Sequence, residues 1–114
     1  MRHSGAVDGE LEAELRRVFV GSRWDTERGQ LVAYDVERRG QYPTTQFVVL
    51  LHFVGREQEQ YAFRYRPWGR DFVDFDAWPM DNVVSMLFEE LAEIIETTDL
   101  PDHPGEGRVI LADD

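Results

Sequence analysis

The chain has 114 residues, 12 basic against 23 acidic side chains for a net charge of −11, and no cysteine. This length fits one compact domain with its own core. Without cysteine there is neither a disulfide framework nor a thiolate metal site, which suits a reducing cytoplasm. All the basic residues are arginine, so a Schiff base, a P-loop or a lysine-dependent nuclease centre is excluded as well.

Residues 1–7 are expected to form a flexible N-terminus, 8–98 a single α+β domain, and 99–114 an acidic tail. The opening residues lack the apolar core of a signal peptide, and the longest apolar run, Phe47 to Leu51, is far too short to span a membrane. Asp8 is placed to cap a first helix over 8–20. Its apolar positions Leu11, Leu15, Val18 and Phe19 recur at helical spacing, Glu10 and Glu12 fall in its first turn, Arg16 and Arg17 in its last, and Gly21 stops it.

Alternation and β-branched content then predict strands near 30–37, 45–54, 60–66 and 72–77, with a further short strand fitting around Trp24. A second helix fits 81–97, capped by Asp81. It buries Val84, Leu87, Phe88, Leu91, Ile94 and Ile95 and turns Glu89, Glu90, Glu93 and Glu96 outward. Pro101 and Pro104 end regular structure, and a late strand at 108–111 is placed to pair with a sheet edge or stay loose. The expected fold is therefore α+β: an N-terminal helix, an antiparallel meander of four or five strands, and a C-terminal helix packed on one sheet face.

A five-residue loop over Pro67 to Asp71 would set Tyr65 opposite Val73, Arg64 opposite Asp74 and Phe63 opposite Phe75. Aromatics then line one face and charge pairs the other. A six-residue turn over Gly55 to Gln60 would likewise bring Val48, Leu50, His52 and Val54 onto the aromatic face. Phe47, Val49, Leu51 and Phe53, equally apolar, would then need cover on the other side, from the first helix, a dimer contact or a ligand.

Asp71, Asp74 and Asp76 invite a metal or a carboxylate pair, but partnership with Arg64 and Arg66 is the simpler account, and arginine lowers a carboxylate's pKa where a general acid needs it raised. His52, alone on an apolar face, reads as a hydrogen-bonded core residue. No two histidines share a zinc spacing, no serine sits in a nucleophile elbow, and no glycine-rich phosphate loop occurs. No cofactor, metal site or catalytic residue is therefore assigned, and an enzyme is the lesser reading. The arginine and aromatic mixture at 61–70 resembles a stacking platform for nucleic acid, yet its rings and charges fall on opposite faces and the net charge repels phosphate.

Two surfaces remain. Trp68 and Arg70 occupy a loop tip and are the residue types that dominate binding hot spots. Residues 71–114 hold one arginine against 13 acids, whereas residues 1–70 hold 11 against 10. Glu89, Glu90, Glu93 and Glu96 concentrate this imbalance on one helix, where like charges three and four apart weaken the helix slightly. A solvated face accounts for them; so does a cationic partner. The leading expectation is a non-catalytic acidic protein, an adaptor, an inhibitor of the immunity type or a chaperone, binding a basic protein partner through Trp68, Arg70 and the four glutamates. The alternative is a small-molecule site or small enzyme with a pocket between the sheet and the first helix, lined by Tyr34, Phe47, Phe53, Arg64, Asp74 and Trp78.

Overall fold

A computed structural model describes residues 4–69, 71, 73–97, 100 and 108–110. The order is α1 (Ser4–Phe19), β1 (Arg23–Thr26), β2 (Gly29–Arg39), β3 (Gln46–Phe53), β4 (Arg56–Tyr65), α2 (Met80–Thr97) and β5 (Arg108–Ile110). The strands form one sheet in chain order. β1 to β4 are antiparallel, and β5 joins the edge of β4 in parallel.

α1 begins a turn earlier than the expected 8–20, so Asp8 is not its cap and its first turn holds no acid. The expected basic residues Arg16 and Arg17 do lie in its last turn, where they oppose the partial negative charge of the C-terminus. Gly21 follows at φ 91°, a conformation that favours a residue without Cβ; its N–H bonds to the Ala33 carbonyl at 2.8 Å. α2 matches the expected 81–97 to within a residue. Asp81 lies inside its first turn, and Pro79 O accepts the first amides, from Asn82 and Val83.

The register of β3 against β4 departs from expectation. Phe47 faces Tyr65, Val49 faces Phe63 and Leu51 faces Tyr61, because the turn is short, at Val54–Gly55, and the extra residues fall inside β4. The offset from the expected pairing is odd, and an odd slip exchanges the two faces of a strand. Phe47, Val49, Leu51 and Phe53 are therefore the ones that join Tyr61, Phe63 and Tyr65, and Val48, Leu50 and His52 turn away. In β2 an irregularity between Ala33 and Asp35 takes up Tyr34, so that Leu31, Ala33 and Val36 all face inward despite their uneven spacing.

Both helices cover this one face. Leu11, Leu15 and Phe19 of α1 and Val83, Val84, Leu87, Leu91 and Ile95 of α2 are buried in a single cluster with the inward residues of β2, β3 and β4. Full burial of a leucine or phenylalanine contributes about 1.5–3 kcal/mol, so this cluster dominates the stability. α1 does cover Phe47, Val49, Leu51 and Phe53, one of the covers expected for them, but from the same side as α2, which leaves the opposite face without a helix. There Val48, Leu50 and Ala62 form a small separate cluster under Tyr34, whose ring lies 4.8 Å from that of His52.

Among the described residues of the strand expected at 72–77, which are 73–77, no strand forms. Among the described residues between β4 and α2 the chain runs through turns, with Asp74 Oδ1 accepting the Asp76 amide and Asp74 O those of Ala77 and Trp78. An aspartate that gathers its own following amides competes with strand pairing, and β5 takes part of the β4 edge. Val73 and Phe75 still pack against the core, so their alternation with aspartate reports burial rather than a strand.

Candidate functional site

α2 presents Glu89, Glu90, Glu93 and Glu96 to solvent, as its periodicity predicts. Glu89 and Glu93, Glu90 and Glu93, and Glu93 and Glu96 stand three or four residues apart, and the last turn carries no basic residue. Like charges at these spacings, gathered toward a helix C-terminus, oppose both each other and the macrodipole. Among the described residues no ion pair reaches any of the four. The observed pairs lie elsewhere: Arg16 and Arg38 on Glu12, Arg16 on Asp35, Arg17 on Glu14, Arg39 on Glu37 and Arg56 on Glu59.

Beside the glutamates a cleft of about 280 Å³ opens between the end of β4, the loop after it and α2, lined by Phe63, Tyr65, Asp71, Val73, Met86 and Glu90 among others. The inward alternation of β4 delivers Tyr65 to its floor. The loop delivers Asp71, whose Oδ2 accepts the Arg66 amide at 3.0 Å while its own amide bonds back to Arg66 O at 3.1 Å. Tyr65 is 4% exposed, and its hydroxyl finds no hydrogen-bond partner among the described residues. Burial, with the charges of Asp71 and Glu90 behind it, raises the phenol pKa well above its ordinary value. Burial, followed by the charges of Asp71 and Glu93, raises the Glu90 carboxyl above the ordinary range.

Trp68 is held in the fold. Its indole N–H donates to Asp8 Oδ1 at 2.5 Å, and its ring meets Tyr42 and Phe75 edge-on at 5.4 and 5.3 Å. Asp8, 3% exposed, also accepts the Thr45 hydroxyl at 2.6 Å, so one buried carboxylate ties α1 to two loops. Arg70 lies outside the described residues.

The residues of the alternative pocket do not come together. Phe47 and Phe53 are fully buried core, and Tyr34 packs on the far face of the sheet. Arg64 pairs in register with Val48 instead of facing Asp74, which is exposed in the turn. Trp78 is 50% exposed and shares with Asp74 a depression of about 400 Å³ against Val83 and Met86, away from the other four residues. His52 is half-buried, its Nδ1 2.9 Å from the Phe53 carbonyl. Among the described residues no group of three metal-ligating side chains occurs, and no helix is long and apolar enough to cross a membrane.

Sequence reasoning placed the α2 carboxylates correctly on one face. It missed the roles of Asp8, Tyr65 and Asp71. Tyr65 carried a signal nonetheless, because a tyrosine among buried aromatics brings a hydroxyl that needs a partner. No protein-family model matches the chain, and neither a curated protein nor a solved structure matches it.

Proposed function

We propose that this chain is a non-catalytic acidic binding protein that takes a basic protein partner on the exposed face of α2, in the reducing cytoplasm that a cysteine-free chain suits. The observation that carries the reading is the contrast in charge pairing. The described ion pairs involve α1 and the sheet, while Glu89, Glu90, Glu93 and Glu96 stand on α2 without a cation among the described residues. Such a one-sign surface steers a cationic partner and raises its association rate. Trp68 is not called on here, its N–H being committed to Asp8.

The test is capture of partners from native lysate by the immobilised chain at low and high salt, beside a variant with all four glutamates reversed to arginine. A basic protein is expected to be retained at about 50 mM salt and released by about 500 mM, as screening shortens the reach of exposed charge. With the isolated partner, the reversed chain should associate at least about tenfold more slowly. Binding indifferent to both salt and reversal overturns the reading.

A further inference from the structure

The cleft beside α2 combines three features: acceptor groups from two different elements, a buried hydroxyl with no partner among the described residues, and apolar walls. Asp71 comes from the loop and Glu90 from α2, and Tyr65 joins them in the lining with its hydroxyl buried. Leaving a buried hydroxyl unpaired is costly, and two carboxylates converging on one cleft repel each other unless a cation joins them. Arg64 contributes to the wall between Phe63 and Tyr65, but alternation along β4 turns its side chain to the far face of the sheet. At about 280 Å³ the space lies just below the range typical of drug-sized ligands, and suits a single long side chain.

We propose that this cleft receives the guanidinium of one arginine from the basic partner, held between Asp71 and Glu90 with the Tyr65 oxygen as a third acceptor. The inference rests on the reading of α2 given above and names the contact that makes that surface specific. Guanidinium fits better than ammonium for two reasons. Its five N–H donors spread in a plane and can serve three separated acceptors. It is also more weakly hydrated, so less is lost when it enters a cleft walled by Phe63, Val73 and Met86. The raised carboxyl of Glu90 agrees, because a cation between the two acids removes the repulsion that helps raise it.

The experiment is an NMR titration of the isotope-labelled full chain with N-acetyl-arginine amide and, separately, N-acetyl-lysine amide. The arginine probe is expected to give saturable shifts around 63–65 and 86–90. Tyr65→Phe and Glu90→Gln, each verified as folded by thermal melting, should weaken its binding about tenfold, the effect of one hydrogen bond to a charged group. Absence of saturable shifts, or shifts unchanged in Tyr65→Phe, overturns the proposal, and a lysine probe that binds as tightly overturns the assignment to guanidinium. Suppose partner capture stays salt-sensitive and is lost on reversing Glu89, Glu93 and Glu96, while the arginine probe gives no shift. Then the cleft fails alone and the α2 reading stands. Salt-indifferent capture removes the α2 reading whatever the probe does.

Discussion

The two helices cover the same sheet face and both turn glutamates outward, yet they treat those charges in opposite ways. On α1, Glu12 receives Arg16 at 3.4 Å and Arg38 at 3.1 Å, Glu14 receives Arg17, and Arg16 reaches across to Asp35 of β2 at 2.7 Å. Its last turn is basic, as the helix dipole prefers. α2 has the reverse arrangement, with no basic residue in its last turn and glutamates spaced to repel one another. The pairs on α1 either close within the helix or join it to β2, so their work is internal. The charges on α2 connect to nothing among the described residues, and their mutual repulsion lowers the stability of the helix that bears them. A charge that costs the fold something and contributes no contact within it points outward.

The sharpest way to break this comparison is at Asp8, where a carboxylate of α1 is fully committed to the fold. Asp8→Ala strands the Thr45 hydroxyl in a buried position and the Trp68 indole N–H in a half-buried one. It is expected to lower stability by about 2–4 kcal/mol in urea unfolding, with a change in tryptophan emission as Trp68 loses its anchor. Asp8→Asn keeps an acceptor and should recover part of the loss. If Asp8→Ala were neutral, the α1 carboxylates would not be structural and the contrast with α2 would collapse.

Asp8 also marks where the sequence was legible and where it stopped being so. The two helices, the amphipathic division of α2 and the strands at 29–39 and 46–53 follow from local periodicity, because burial on one side imposes a repeat that residues alone reveal. Asp8 as a helix cap follows the same local rule and was wrong, because its partners lie 37 and 60 residues away. The pairing of β3 with β4 failed for a related reason. Both faces of β3 are apolar, so hydrophobicity could not choose between registers, and the choice fell to a turn whose length was misjudged. The segment 72–77 alternates like a strand, but Asp74 captures the amides a strand would offer to its neighbour. The cleft was illegible because Tyr65, Asp71 and Glu90 meet only through the packing of α2 against the end of β4 and the loop that follows it.

Tyr65→Phe sharpens the comparison from the α2 side. Removing a buried hydroxyl that has no partner among the described residues is expected to raise stability by about 1 kcal/mol, even as it weakens binding of the arginine probe. A fold-supporting hydroxyl would lose stability instead, and urea unfolding distinguishes the two. At Glu12 the expected sign is reversed. Glu12→Gln gives up the charge that serves Arg16 and Arg38 on a half-exposed surface, and should lower stability by roughly 0.5–1 kcal/mol, less at high salt.

Glu90→Gln is the matched change on the other helix and carries the smallest expected effect, with the opposite sign. The folded protein raises the Glu90 pKa, first through burial and then through Asp71 and Glu93. A carboxyl raised on folding favours the folded state while it is protonated, and that contribution is lost as pH rises through the raised value. At neutral pH the charged glutamate is therefore a liability that glutamine lacks. The variant should gain a few tenths of a kcal/mol, an increase in melting temperature of about 1–2 °C after allowance for solvent screening. Below the ordinary glutamate pKa, about 4.3, both side chains are neutral and the advantage should vanish. Melting curves of the two proteins taken in parallel across this range read the difference directly. A Glu90→Gln variant less stable than its parent at neutral pH would mean that α2, like α1, uses its carboxylates to hold itself together.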